Sequence, residues 1–210
     1  HGGLDQMVTV SPLAAAEPGT TMNLAAGQQL TVMELLYGLL LPSGNDAALA
    51  LAQFQAGGSV RAFVVRMNQR AAELGLSETH FVNADGLDDP AHLMSVSDMA
   101  KLARFALLHQ PLLDQLVDTA HELIPATPTH PAFDLTNLNQ LLGNYPGADG
   151  VKTGTTPAAG QDLVGTATRG GHRLMVVVYG STDRYADARV LLDHAFGDTF
   201  WLLSLIHISE

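Results

Sequence analysis

Cysteine is absent from the 210-residue sequence, which excludes disulfides, thiolate zinc sites and thiol nucleophiles. Positive charge is scarce, since 10 Lys+Arg stand against 21 Asp+Glu and give a formal net charge of −11. Because phosphate contacts depend on Lys and Arg, this balance argues against nucleic acid or an anionic membrane surface as a partner. Lysine occurs only as Lys101 and Lys152, so any lysine chemistry has to use one of these two residues.

Long hydrophobic runs are also missing. The longest, residues 35–41, is far shorter than the roughly 20 apolar residues that span a bilayer. The first residues carry no signal-peptide pattern and begin with His1, so we expect a processed or truncated N-terminus. Hydrophobic residues still make up 47% of the chain, which excludes a disordered protein and suffices for one or two small domains.

Helical patterns dominate the first two thirds of the chain. Apolar residues recur at helical spacing or follow capping residues there. The predicted helices cover residues 35–41, 46–55, 60–74, 97–109 and a short stretch that starts at 111. Thr31 and Glu34 form a capping box for the first helix, Asn45 or Asp46 caps the second, and Ser97 with Asp98 opens the fourth.

Strand patterns dominate the last third. Residues 151–156 form a strand-like run, and residues 162–168 and 173–179 flank a Gly-Gly turn as the strands of a hairpin do. A closing helix is expected at residues 186–196, so the order of elements predicts an α+β architecture. Irregular structure is expected at residues 11–29, 77–93 and 120–134, and one helical turn at 136–142.

Two short motifs contain residue types that can carry chemistry. Ser43-Gly44-Asn45 lies between two predicted helices, and Lys152-Thr153-Gly154 opens the strand region. Alone, the first fits a helix-linking turn and the second an edge-strand lysine. Together they match two elements of the active-site serine acyltransferases, Ser-x-Asn and Lys-Thr-Gly, which act with a Ser-x-x-Lys. In such a site the serine relays protons, the asparagine amide contacts a substrate carbonyl, and the lysine and threonine bind a carboxylate.

Longer stretches around these motifs resemble the serine-type D-alanyl-D-alanine carboxypeptidases, the low-molecular-weight penicillin-binding proteins. The similar stretches are residues 30–48, 74–76, 79–87, 144–156 and 183–189. The resemblance implies a β-lactamase/DD-peptidase-like fold, in which a helical region packs on an antiparallel sheet. It also implies that residues 1–200 form a catalytic domain that is incomplete at its N-terminus. Residues 201–210 continue no pattern and are expected to be a tail outside the domain, of either native or non-native sequence.

The same resemblance implies function. The expected reaction is removal of the terminal D-Ala from peptidoglycan stem peptides ending in D-Ala-D-Ala, through an acyl-enzyme, in an extracytoplasmic location. β-Lactam antibiotics are the second expected ligand, no cofactor is implied, and membrane anchoring stays open. Ser43 is then the second active-site serine, Asn45 its amide partner, and Lys152 a lysine of the proton network. The implied substrate-binding residues are Lys152, Thr153, Gly154 and Thr155, whose backbone N–H is half of an oxyanion hole.

The first element of the motif set is missing from the sequence. Asp98 stands three residues before Lys101, and Asp149 three residues before Lys152, so neither lysine completes a Ser-x-x-Lys. We therefore expect a fragment without nucleophile and base, inactive by itself, rather than a degenerate enzyme. Loss of the helix that carries those residues predicts exposed apolar faces around Leu35 and Leu49, and poor solubility.

Other functions stay open at this point. A β-lactamase shares the fold and motifs, but no glutamate here lies in a Glu-x-x-Leu-Asn setting. A Ser-His-Asp hydrolase could use some of the nine histidines, but there is no Gly-x-Ser-x-Gly elbow. No His-Glu-x-x-His occurs, and the aspartates of residues 85–89 fit a turn better than a calcium site. A catalytically inactive peptidoglycan-binding module is the non-enzymatic alternative.

Overall fold

The computed structural model describes residues 3–198. The helices are α1 (Pro12–Ala15), α2 (Val32–Leu40), α3 (Asn45–Gln55), α4 (Val60–Glu73), α5 (Val96–His109), α6 (Pro111–Asp118) and α7 (Arg184–Asp198). The strands are β1 (Met7–Thr9), β2 (Gln29–Thr31), β3 (His121–Ile124), β4 (Phe133–Thr136), β5 (Ala148–Thr156), β6 (Gly160–Arg169) and β7 (His172–Ser181). Residues 201–210 lie outside the described residues, and the division between them and a domain of residues 1–200 stays a prediction.

Helix α3 is the centre of the N-terminal half. Its first two turns are buried, because α1, α2, α4 and β1 all pack against it. Leu35 on α2 and Leu49 on α3 are only 0% and 5% exposed. Leu30 and Phe133, from the two-stranded sheets β1-β2 and β3-β4, belong to the same buried cluster. The expectation of exposed apolar faces around Leu35 and Leu49 is therefore wrong.

The capping prediction holds for α2 and fails for α3. The Thr31 hydroxyl accepts from the Glu34 N–H at 3.2 Å, and the Glu34 carboxylate accepts from the Thr31 N–H at 2.7 Å. This confirms the capping box. Helix α3 starts after Gly44 and has no side-chain cap. Asn45 and Asp46 lie inside its first turn, where their side chains bind other parts of the chain.

Helix α5 begins at Val96, one residue earlier than expected. Its cap is Ser95, whose hydroxyl accepts from the Asp98 N–H at 3.2 Å, and not Ser97. Asp98 is fully buried and accepts from Thr79 Oγ1 at 2.9 Å and from Lys101 Nζ at 2.8 Å. The Lys101 ammonium holds the pKa of Asp98 below its usual range. Asp98 thus holds the start of α5 to the preceding loop, and Lys101 pairs with Asp98 within the helix.

A hairpin occupies part of the segment in which prolines predicted an excursion. β3 and β4 pair antiparallel, with Ile124 opposite Phe133. The three prolines, Pro125, Pro128 and Pro131, all lie in the connection between the strands, where they interrupt no pairing. The prediction of irregular structure over residues 120–134 is therefore correct only for this connection.

The other segments that were predicted to be irregular agree with the structure only in part. Residues 11–29 contain α1 and the start of β2, which the sequence analysis missed. Residues 77–93 are irregular as expected, apart from an isolated bridge between His80 and Leu93. Thr136 ends β4, and residues 137–142 form a bend and a turn without a helix. No single helix within residues 3–198 combines the length and apolar content of a membrane span; α3 and α4 meet that test only as a pair bent by 86°.

The C-terminal sheet has the strand order β5-β6-β7, and all pairs are antiparallel. Successive side chains of a strand point to opposite faces, so neighbouring residues of β6 join different clusters. Leu163 packs with Leu192 of α7, whereas Val164 packs with Val117 of α6. Helices therefore cover both faces of the sheet. This confirms the α+β prediction of a helical region packed on an antiparallel sheet.

Candidate active site

The Ser43-Gly44-Asn45 motif forms the tight turn between α2 and α3. Ser43 has a φ of 62°, in the left-handed region that few non-glycine residues adopt. The N–H of Gly44 donates to the Gly38 carbonyl at 2.9 Å. A Cβ on Gly44 would lie 2.9 Å from that same carbonyl oxygen, so the close approach of the turn to α2 requires glycine. The turn thus holds the Ser43 side chain at a fixed place beside two buried helices.

Asn45 and Asp46 tie the start of α3 to the segment before it. The Asn45 side-chain amide donates to the Pro18 carbonyl at 2.8 Å, and its backbone N–H donates to the Thr20 carbonyl at 2.8 Å. The buried carboxylate of Asp46 accepts from the N–H groups of Met22 and Leu24. An acidic residue in the first turn also suits the positive end of the helix dipole. Both side chains therefore have positions fixed by residues 18–24.

The Lys152-Thr153-Gly154 motif lies on β5, which is an edge strand within the described sheet. Lys152 is half-buried, and its Nζ donates to the Thr153 carbonyl at 3.0 Å. Burial, together with the charge of Arg184, lowers the pKa of Lys152 to about 8. Gly154 and Thr155 are exposed. A lysine that titrates near neutral pH beside an open strand edge can bind an anion or exchange a proton.

Arg184 is a site-forming residue to which the sequence analysis assigned no role. It is 9% exposed, and its guanidinium donates to the carbonyls of Gly154 at 2.6 Å and Asp162 at 2.8 Å. A further bond joins it to Thr155 Oγ1. The five donors of a guanidinium allow this multiple attachment, which holds β5 to the start of α7. Its only signal in the sequence was its place in the family-like stretch 183–189.

Residues 138 and 139 connect the two motifs. The Leu138 N–H donates to the Leu41 carbonyl at 3.1 Å, and the buried side-chain amide of Asn139 donates to the Gly150 carbonyl at 3.0 Å. Leu41 precedes Ser43 by two residues, and Gly150 precedes Lys152 by two residues. The segments that lead into the two motifs are therefore both tied to residues 138 and 139.

Direct bonds between the motifs are not present in the described structure. Within residues 3–198, the Ser43 hydroxyl has no hydrogen-bond partner, and no hydrogen bond joins Ser43 to Lys152. The same residues contain no group of three or more His, Asp or Glu side chains placed to hold a metal ion. The two motifs supply a hydroxyl, an amide that is bonded to the Pro18 carbonyl, and a partly desolvated ammonium on an edge strand. Such groups suit the binding of a peptide carboxylate and proton relay.

Comparison with known proteins decides the family. A family model described as D-alanyl-D-alanine carboxypeptidase matches residues 3–183. The chain belongs to this family. It is 38% identical over 196 residues to the D-alanyl-D-alanine carboxypeptidase DacF of Bacillus subtilis, covering 92% of the chain and 50% of that protein. Identity with DacC of Escherichia coli is 39%, covering 87% of the chain and 44% of that protein. The chain spans about half the length of these two relatives.

Solved structures of DD-peptidases share the fold. The DD-transpeptidase of a Streptomyces strain superposes with a TM-score of 0.87 at 36% identity, over 94% of the chain and 81% of that protein. The D-alanyl-D-alanine carboxypeptidase DacD of Francisella tularensis gives a TM-score of 0.84 at 30% identity, over 92% of the chain and 58% of that protein. These matches confirm the DD-peptidase-like fold and the family resemblance drawn from the two motifs.

Proposed function

We propose that this chain supplies Ser43, Asn45 and Lys152 to the active site of a serine-type D-alanyl-D-alanine carboxypeptidase. The substrate would be a peptidoglycan stem peptide ending in D-Ala-D-Ala, reached outside the cytoplasm, and β-lactams would bind at the same place. The observation that carries the proposal is the link through residues 138 and 139. It ties the segments that lead into the Ser43 turn and the Lys152 strand to two adjacent residues, although the motifs are far apart in sequence.

Each side chain has a role that its surroundings support. The lowered pKa of Lys152, about 8, lets it hold a terminal carboxylate as a cation and still exchange protons with the Ser43 hydroxyl. The exposed edge at Gly154 and Thr155 would pair with the extended peptide by β-augmentation. Thr153 would bind the carboxylate, and the N–H of Thr155 would face the developing oxyanion. Arg184 keeps this strand segment in place through Gly154 and Thr155.

The nucleophile and general base are not among these residues. The 210 residues contain no Ser-x-x-Lys. We therefore propose that the 210 residues by themselves bind the stem peptide without cleaving it, and that acylation requires a Ser-x-x-Lys segment in addition.

A chimaera tests the enzyme function. A segment with Ser-x-x-Lys from a family relative is placed before His1, and labelling by a fluorescent penicillin and release of D-Ala are compared with those of the unmodified chain. We expect labelling and release only in the chimaera, and loss of release in its Ser43→Ala and Lys152→Ala variants. Lys101→Ala is the matched control, because Lys101 binds Asp98 away from the two motifs. A well-folded chimaera that is never labelled would contradict the enzyme function.

The alternative is a peptidoglycan-binding module without catalysis. Such a module would bind the stem peptide through Lys152 and Thr153, yet the chimaera would not be acylated. Peptide binding measured in parallel with penicillin labelling therefore separates the two functions.

A further inference from the structure

Helix α4 has an apolar face that the rest of the described chain covers only in part. Phe63, Met67, Ala71 and Leu74 recur at helical spacing and so lie on one side of the helix. Of the 14 residues of α4 only Ala71 is buried, whereas eight of the 11 residues of α3 are buried. An apolar stripe on a helix normally packs against other apolar groups. The stripe on α4 therefore has room for a further contact.

This apolar face forms one wall of a groove with a volume of about 340 Å³. The other walls come from α5, through Leu102, and from the segment after α4, through Leu76 and Phe81. Phe81 is held to α4, because its N–H donates to Asn68 Oδ1 at 2.9 Å and its carbonyl accepts from Asn68 Nδ2 at 2.8 Å. The lining residues of α4 run from 63 to 74, which corresponds to a length of about 16 Å. The groove is therefore elongated, and its side at Phe81 is fixed.

Two arginines, Arg66 and Arg70, also line the groove. Arg66 Nη1 donates to the Gln55 carbonyl at 2.6 Å, at the end of α3. Arg70 Nη1 pairs with Glu73 at 2.7 Å, and its guanidinium lies over the Phe105 ring at 5.0 Å. Both side chains are exposed, and each guanidinium has five N–H donors. These contacts hold the guanidinium groups beside the groove and leave donors available to a ligand.

The positive charge at the groove is incompletely compensated. Within residues 3–198, no acidic side chain forms a salt bridge with Arg66. Arg66 and Arg70 are four residues apart on one helix, a spacing at which like charges repel each other. This arrangement stands out in a chain with 21 Asp+Glu and only 10 Lys+Arg. A carboxylate from outside would offset the repulsion and accept paired hydrogen bonds from a guanidinium.

We propose that this groove binds an acidic amphipathic helix of a partner protein. The apolar side of that helix would contact Phe63, Met67 and Leu102, and its acidic side chains would pair with Arg66 and Arg70. The length of the groove corresponds to about three helical turns, enough for apolar anchors at positions i, i+3 or i+4, and i+7. The groove shares no residue with the two motifs, so the proposed function and this interaction are independent.

Charge and shape favour this occupant over two others. A second copy that docked groove to groove about a two-fold axis would bring the arginines of both copies together. An anionic membrane surface is flat and would also meet the excess negative charge of the chain, whereas a helix fits an elongated groove and contacts the arginines locally. Both alternatives are outcomes of the test.

The test uses the whole chain labelled with ¹³C at its methionine methyl groups. The probe is a synthetic alanine-rich helix about 15 residues long, with leucines at positions i, i+3, i+4 and i+7 and glutamates beside them. We expect a saturable shift of the Met67 signal and none of Met7, which is exposed on β1. The same peptide with glutamine in place of glutamate should bind several-fold more weakly. No shift of Met67, or equal binding of the two peptides, would overturn the proposal.

A charge reversal gives the second measurement. Arg66→Glu should weaken binding of the glutamate peptide several-fold and strengthen binding of a peptide with lysines at the same positions. Arg104→Glu is the matched control, because Arg104 is exposed on α5 and does not line the groove. If Arg66→Glu does not fold, the salt dependence of the original chain decides, since affinity for the glutamate peptide should fall as salt is added. Affinity that is independent of salt would overturn the proposal.

The same Met67 signal reports the other occupants. A shift on raising the protein concentration alone would indicate a second copy. A shift with phosphatidylglycerol vesicles but not with the peptide would indicate a membrane. Failure of the peptide to shift Met67 in the chimaera with the Ser-x-x-Lys segment would indicate that this segment covers the groove. Each of these three results would overturn the proposed partner helix.

Discussion

The side-chain amide of Asn139 donates to the carbonyl of Gly150 at 3.0 Å, in a part of the molecule where Asn139 is only 2% exposed. Its carbonyl oxygen accepts from the N–H of Leu141 at 3.1 Å. One buried side chain therefore fixes both the turn after β4 and the start of β5. Through the neighbouring bond from Leu138 to Leu41, this turn is also held to the end of α2. This link ties the segments that lead into the two motifs to each other.

Replacement of Asn139 tests how strongly the link is held. Asn139→Ala leaves the Gly150 carbonyl and the Leu141 N–H without their partner in a buried place, so we expect the free energy of unfolding to fall by about 1–3 kcal/mol. Asn144→Ala is the matched control, because Asn144 is exposed and bonds only nearby carbonyls; it should change stability by less than about 0.5 kcal/mol. Urea unfolding measures both. Equal effects of the two variants would show that the link contributes nothing specific.

The glycine of the first motif should be irreplaceable for steric reasons. A Cβ in Gly44→Ala would lie 2.9 Å from the Gly38 carbonyl oxygen and 2.8 Å from Asp46 Oδ1. Because backbone has to move to relieve this contact, we expect a loss of about 1–3 kcal/mol in stability. Gly197→Ala, on α7 with no atom within 4 Å of its Cβ, should instead be neutral or stabilise by up to about 1 kcal/mol. Thermal unfolding of both variants and of the original chain measures these changes. A Gly44→Ala variant as stable as the original chain would contradict the described geometry of the turn.

Arg184 should influence Lys152 through charge as well as structure. Since the positive charge of Arg184 contributes to the lowered pKa of Lys152, we expect Arg184→Gln to raise that pKa from about 8 toward its ordinary value of 10.5. Arg189→Gln is the control, because Arg189 is an exposed arginine of the same helix. A pH titration of the lysine ¹³Cε signals by NMR measures the change. An unchanged Lys152 pKa in Arg184→Gln would refute the electrostatic part of the site description.

Glu17 should make the stability of the chain depend on pH. Its pKa is raised from 4.5 to about 7 on folding, so the folded state binds the proton more tightly than the unfolded state does. The resulting stabilisation is fully present below pH 4.5 and is lost as the pH rises through about 7. Glu17→Gln should remove this loss and be the more stable protein above that range. The test is to measure the denaturant midpoint of the original chain, of Glu17→Gln and of the reference variant Glu73→Gln at a series of pH values. If the midpoints of Glu17→Gln and the original chain changed with pH in the same way, the predicted role of Glu17 would be contradicted.

Features coded by neighbouring residues were predictable from the sequence. The capping box of Thr31 and Glu34, and the hairpin around the Gly-Gly turn before β7, each depend on a few adjacent residues. The cap of α5 was misplaced from Ser95 to Ser97, because both serines precede Asp98 closely and the pattern alone does not choose between them. The β3–β4 hairpin was missed because its prolines lie in the connection between the strands.

The residues that hold the candidate site in place could not be predicted from neighbouring residues. Arg184 and Asn139 act through bonds to Gly154 and Gly150, which are distant from them in the sequence. No local pattern reports such contacts. The buried surroundings of Leu35 likewise depend on packing between several elements, which explains why the expectation of its exposure was wrong.

The scarcity of lysine makes the central proposal directly measurable. A chain labelled with ¹³Cε-lysine contains two reporter side chains, Lys101 and Lys152. On titration with an unlabelled acetylated Lys-D-Ala-D-Ala peptide, our account predicts a saturable shift of the Lys152 signal. The Lys101 signal should stay in place, and the same peptide ending in L-Ala-L-Ala should have no effect. A Lys152 signal that does not move, or that responds equally to both peptides, would contradict the assignment of this chain to a D-Ala-D-Ala binding site.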